Sequence, residues 1–316
     1  MFMKLREWIN IDKINLSLLC LNRNAIEYIK ENHVNEIDWQ HISYNENAIE
    51  LLKDNQDKIN WNILSYNTNA IELLKNNTDK INWDRLSLHG NANELLTQNF
   101  DKINWSYLSY NKNAIKLLKN NPDKIDWDLL SSNPNAIEII KENLDKIDWC
   151  NLCLNENAIE LLTQNKDKID WCNLSSNPNA IELLTQNKDK IDWCNLSSNP
   201  NAIKLLNENK DKIDWCNLSS NPNAINLLKE NPNKIDWNIL STNIAAMEIL
   251  QHNYEKIDWY ELSSNPSIFT YNYEKIKQNF QELAEEIIAK ALHPKRIFRL
   301  IEEYGEEEIY IIYFDD

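Results

Sequence analysis

Glycine is nearly absent: two residues in a chain of 316. That scarcity argues against glycine-dependent phosphate loops, tight hairpins and flexible linkers alike. Positive charge is also in the minority, 33 Lys and Arg against 49 Asp and Glu, for a formal net charge of -16. A nucleic-acid backbone rewards a clustered basic face, so direct nucleic-acid binding is not expected. No segment approaches the 18 or so apolar residues needed to span a membrane. The opening "MFMKLREWINIDKINLSLLCLN" carries charges inside any apolar run, which makes it a poor signal peptide. The expectation is a soluble, intracellular protein.

Catalytic and metal motifs are missing too. The five histidines, at 33, 41, 89, 252 and 293, share no position in any pattern and have no matched nucleophile or carboxylate. Of the six cysteines, Cys150, Cys172, Cys194 and Cys216 stand 22 apart, each after a tryptophan, while Cys20 and Cys153 fall where related positions hold Ser. Cys150 and Cys153 have the spacing of a zinc knuckle, but the second pair that zinc requires is lacking. Neither catalytic residues, nor a metal site, nor a cofactor is assigned.

What the chain does contain is one sentence written about twelve times. Trp39, Trp61, Trp83, Trp105, Trp127, Trp149, Trp171, Trp193, Trp215, Trp237 and Trp259 recur every 22 residues without a slip. A first, divergent copy places Leu16 in the tryptophan position and carries one extra residue between Ile26 and Trp39. A fixed period in the twenties is the mark of a solenoid.

The columns give the local structure. The residue before each tryptophan is always Asp or Asn, as at Asp38, Asn60 and Asp192, the restriction an N-cap imposes. It opens a short "W-x-x-L-S" helix, expected to be partly 3-10. Another Asn (Asn22, Asn45, Asn67, Asn111 and onward, with His89 the exception) precedes "NAI", often followed by Pro, and predicts a second helix of nine to ten residues. A third periodic Asn, as at 55, 77 and 187, suits a left-handed residue at that helix's end. Seven inward candidates per repeat follow, for example Ala180, Ile181, Leu183, Leu184, Ile191, Trp193 and Leu196, with the eleven tryptophans as the repeat core. At about 1.5–3 kcal/mol per large side chain buried, one repeat cannot offset the ordering of its 22 residues, at about 1–2 kcal/mol each. Stacking is therefore obligatory. A leucine-rich horseshoe competes at this repeat length, but Leu196 stands where its strand signature needs Asn, and the Asn-Pro caps favour helix.

The fold expected is all-α: a curved α/3-10 solenoid of about twelve 22-residue, two-helix repeats, roughly 100 Å long by helix spacing. Residues 1–21 are read as an N-terminal cap with a degenerate repeat start, 22–272 as the solenoid, and 273–316 as a helical C-terminal cap with an acidic, aromatic tail. Within that tail "IYIIYF" is an edge-pairing hazard that could pack on the last repeats or mediate a homodimer.

"LSSNPNAIELL" resembles leucine-rich-variant repeats, which stack α-helices on 3-10 helices. The fuller "NPNAIELLxxNxDKIDWxxLSxNP", covering residues 12 to about 272, resembles tandem-repeat proteins encoded by giant DNA viruses that infect amoebae and other protists. "ALHPKRIFRLIEEYG" (291–305) is similar to the ending of many such proteins. The resemblance implies a viral origin and a setting in host cytoplasm or virion. It implies no activity.

Function must then lie on a surface. The column after the periodic Ser holds Tyr44, Tyr66 and Tyr110, with Leu88 between, before turning to Ser132, Ser176, Ser198 and Ser220. Such a stripe is a candidate face for a protein partner, or else fills grooves between repeats. The nearly identical copies from 144 to 231 supply length, and the varied first half and the tail supply identity. The reading is a non-enzymatic protein-interaction scaffold, with a virion structural protein and an acidic nucleic-acid mimic as alternatives.

Overall fold

The computed structural model describes residues 2–305. The "IYIIYF" run at 309–314, with its expected edge pairing, lies outside them. The chain forms two units, Leu5–Phe269 and Met1–Lys4 with Thr270–Asp316.

Leu5–Phe269 is an all-α repeat array, and the copy around Trp193 shows its grammar. Asp192, in extended backbone, accepts the Asn195 N–H on its side chain at 2.8 Å and opens the helix Trp193–Ser198. Asn199 ends it and starts a tight turn, its Oδ1 accepting from Asn201 N at 3.0 Å. The helix Ile203–Glu208 follows, then a 3-10 turn, Lys210–Lys212, and the next cap, Asp214.

Three local expectations are corrected. The "NAI" helix is five to seven residues long, as at Ile26–Asn32, Ile181–Thr185 and Ile203–Glu208, because its Asn-Pro start forms a turn or 3-10 helix and the α-helix begins at the Ile column. The tryptophan segment is a short α-helix, and the periodic 3-10 element is the x-Asp-Lys turn instead. The third Asn column is not left-handed: Asn209 has φ -135°, and no described non-glycine residue has positive φ. The chain passes onward into the 3-10 turn rather than reversing. The Asn209 amide satisfies a helix-end carbonyl by donating to Leu205 O at 2.8 Å.

The deep core consists of columns such as Ala180, Leu183, Leu184, Ile191 and Leu196, all buried. Ile181 and the tryptophans sit half-buried at its margin. Over most of them lies a lysine from the following repeat, as with Lys190 Nζ at 4.9 Å from the Trp171 ring and Lys80 at 4.4 Å from Trp61. The lysine of the x-Asp-Lys turn thus covers the tryptophan left open by the repeat before it, a cation–π contact worth about 0.5–1 kcal/mol at an exposed site.

Repeats are joined by asparagine. Asn199 Nδ2 donates to Ser175 O and Asn177 O one repeat back, at 3.1 and 3.0 Å. Asn201 Nδ2 reaches Pro178 O at 2.9 Å. Asp192 N donates to Ser175 Oγ at 3.0 Å, whose own hydroxyl donates to Trp171 O at 2.7 Å. The buried Asn and Ser columns are satisfied this way at every regular joint, as buried polar groups must be.

The array closes on itself. Asn15 N donates to Ser263 Oγ at 2.8 Å, Asn22 Nδ2 to Asn265 O at 2.8 Å, and Asn24 Nδ2 to Pro266 O at 3.0 Å. These are the bonds of an internal joint with the first repeat standing where a thirteenth would be. Lys13 completes the set, 5.2 Å from the Trp259 ring. Arg6 adds a clasp, its Nε donating to Ser267 O at 2.7 Å and its backbone N to Ile268 O at 2.9 Å, and Tyr28 meets Phe269 edge to face. Residues 5–21, within the segment 1–21 expected as a cap, contribute to the closing joint. A full turn over twelve repeats requires about 30° at each.

In the other unit, the helices Tyr273–Ala291 and Pro294–Tyr304 follow the strand Phe269–Tyr271, which pairs with Met3–Leu5. Asn272 N donates to Phe2 O at 2.9 Å.

Candidate interaction surface

In a closed ring the elements nearest the axis crowd their neighbours most. Most successive tryptophan helices pack side by side, whereas the "NAI" helices stand farther apart, so the tryptophan helices form the inner wall. At about 8–10 Å per neighbour, twelve helices leave a bore within this unit on the order of 20 Å. Each helix turns its fourth and fifth residues into the core, as Leu196 and Ser197 do. The second, third and sixth residues remain for the wall, as at Cys194, Asn195 and Ser198.

The wall has two characters. From 149 to 220 it is Cys-Asn and Ser, interrupted by the exposed Leu154. Asn217 Nδ2 donates to Cys194 O at 3.2 Å and to Cys194 Sγ at 2.8 Å, and the Asn195–Cys172 pair repeats this. Desolvation, followed by the carboxylates of Asp214 and Asp192, pushes the Cys194 thiol above its ordinary range. Cys153 is fully buried and its thiol is pushed up to about 11, whereas Cys150 is exposed. The knuckle-like pair is therefore split, one thiol in the core and the other at the surface. Among the described residues no group of three or more His, Cys, Asp or Glu is placed to hold a metal ion.

The other arc is aromatic and charged. Tyr44, Tyr66 and Tyr110 are 53%, 39% and 48% exposed, too open for groove-filling side chains. Tyr44 and Tyr66 meet edge to face with centroids 6.5 Å apart. Arg85 lies over Tyr66, its guanidinium carbon 4.4 Å from the ring, and donates from Nη1 to Asn62 O at 3.0 Å. Tyr110 stands two repeats beyond Tyr66, with Leu88 in the column between. Arg85, the exposed Tyr107 and the exposed Tyr260 add to this stripe. All three fall in the sequence-variable positions just after a tryptophan, which at 84–85 and 106–107 already contrast in the sequence with the uniform Cys-Asn of later copies.

This arc also contains the one break in the column of capping asparagines. His89 replaces the capping Asn and is 3% exposed, with neither ring nitrogen hydrogen-bonded; Asn93 Oδ1, in the Ile column of the same repeat, is likewise buried without a partner. Desolvation holds the His89 imidazole below its ordinary pKa, although the Tyr66 backbone and the Glu46 carboxylate oppose this.

Among the described residues no helix is long and apolar enough to cross a membrane. Compared with known proteins, the chain matches no family profile, no curated protein and no solved structure.

Proposed function

We propose that the ring is a non-enzymatic protein-interaction scaffold, virus-encoded as its repeat motif suggests, that holds a protein partner against the arc of Tyr44, Tyr66 and Tyr110. The observation that carries this reading is the cluster of Tyr44, Tyr66 and Arg85: two exposed rings in contact and a guanidinium stacked on one of them. Tyr and Arg are the side chains that dominate binding hot spots, since they offer large, partly pre-ordered contact area. Elsewhere the wall is largely small and polar, so the arc gives the ring a direction.

Closure weakens the virion-rod alternative, because a solenoid that meets itself offers no length to extend. The test is selection of binding peptides from a displayed library on the wild-type ring, followed by titration of the winners against Tyr44/Tyr66/Tyr110→Ser. Ten-fold or greater weakening in a well-folded triple variant is expected. Equal binding by both proteins would move recognition away from the arc.

A further inference from the structure

The helix Tyr273–Ala291 buries none of its side chains. Yet it carries a continuous apolar seam of Tyr273, Ile276, Phe280, Leu283 and Ile287, spaced three and four residues apart as in a coiled coil. Tyr273 is 71% exposed, Phe280 66%, Leu283 47% and Ile287 57%. A soluble surface rarely leaves such a stripe bare without a partner for it.

We infer that this helix pairs antiparallel with the same helix of a second copy of the chain. The seam is its own complement under a two-fold axis between Phe280 and Leu283. Phe280 then meets Leu283 of the other copy, Ile276 meets Ile287, and Tyr273 meets Lys290, whose ammonium can cover the ring. Charge selects the same direction. The first turns carry Lys275 and Lys277 beside one Glu, and the second half carries Glu282, Glu285 and Glu286 beside one Lys. Antiparallel pairing sets unlike halves together, whereas parallel pairing sets the glutamates against each other. Ile288 and Leu292, 55% and 40% exposed, widen the patch. Taking about 150–200 Å² for each large side chain, the exposed fractions amount to about 500–600 Å² per copy. Doubled, that reaches the roughly 1,000 Å² expected of a specific interface. This inference concerns a different surface from the tyrosine arc and does not depend on it.

The test is sedimentation equilibrium of the full chain from 1 to 100 µM. The wild type is expected to approach twice the chain mass, and Phe280→Glu to remain monomeric with unchanged tryptophan fluorescence. Tyr273→Glu should retain the dimer that Phe280→Glu loses, since it places a carboxylate opposite Lys290. Removal of residues 306–316 should leave the dimer intact. A wild type monomeric throughout the range, a dimer that survives Phe280→Glu, or a dimer lost on removing 306–316 would each overturn the inference, the last by assigning the contact to the closing segment.

Discussion

Two joints of the ring invite comparison: the one between the Trp171 and Trp193 repeats, continuous in the chain, and the one between the Trp259 and Leu16 repeats, where the chain has come full circle. The first is made by Asp192 on Ser175, Asn199 on Asn177, Asn201 on Pro178 and Lys190 over Trp171. The second is made by Asn15 on Ser263, Asn22 on Asn265, Asn24 on Pro266 and Lys13 over Trp259. These four contacts match column for column, with Asn199's second bond, to Ser175 O, lacking its Asn22 counterpart at the seam, so the chemistry that propagates the solenoid is sufficient to close it. What differs is connection. An internal joint is held by the covalent chain, while the seam must be found across some 240 residues of sequence separation, an entropic cost that grows only slowly with length. The Arg6 clasp is an addition at the seam.

The most disruptive way to break the equivalence is to delete residues 2–37. Two apolar repeat faces would be bared, and self-association together with a broadened unfolding transition is expected by sedimentation and thermal melting. An unchanged, sharply melting monomer would mean that the seam contributes nothing.

Next come matched core truncations. Leu19 and Leu196 occupy the same column on either joint and are both fully buried. Leu19→Ala and Leu196→Ala should each cost about 2–5 kcal/mol in denaturant unfolding. A markedly cheaper Leu19→Ala would show the seam to be loose. Trp193→Ala should cost about half the 3–5 kcal/mol of a fully buried aromatic, since its ring is only half-buried.

Smaller still is the ladder itself. Asn177→Ala strands carbonyls that its amide had satisfied, at Cys153 and Asn155, and should cost about 1–3 kcal/mol. Asn22→Ala should cost a comparable amount if Asn265 O depends on it, and close to nothing if it does not.

The finest probe is the flawed rung. His89→Asn restores the ladder residue and should stabilise by about 1 kcal/mol at neutral pH. The sign of its pH dependence follows from a folded-state pKa held low. The neutral imidazole is the one the fold accepts, so stability is full above the ordinary value near 6.5 and falls as acidification toward the folded-state pKa protonates the unfolded chain first. His89→Asn should remove that acid-side loss, and a pH profile identical to wild type would show His89 to be solvated.

The repeat, its helices and most of its core were legible because caps and apolar columns recur with the same physics eleven times over. Closure was not, since it depends on a small rotation per repeat that no column encodes. The clue was nevertheless present. A solenoid's terminal repeats should turn a polar face outward, but Leu19, Ala25 and Ile268 remain apolar, and Asn15, Asn22 and Asn24 carry the donor columns of an internal joint. The candidate surface was half legible: the tyrosines stood out against serine, whereas Arg85 joined them only through a contact across one repeat. The lysines over the tryptophans were missed because Lys and Trp are 19 residues apart, a neighbour relation that only stacking creates.

The central claim is that the ring is closed, and the distance between Arg23 and Ser264 measures it most directly, since both line one cleft across the seam. Spin labels at these two positions, with the exposed native cysteines changed to serine, would be read by pulsed electron resonance. A single narrow distance near one repeat spacing plus the label arms, about 15–25 Å, is predicted. A distribution centred beyond about 50 Å, as an opened arc of twelve repeats at the same spacing would give, would contradict closure.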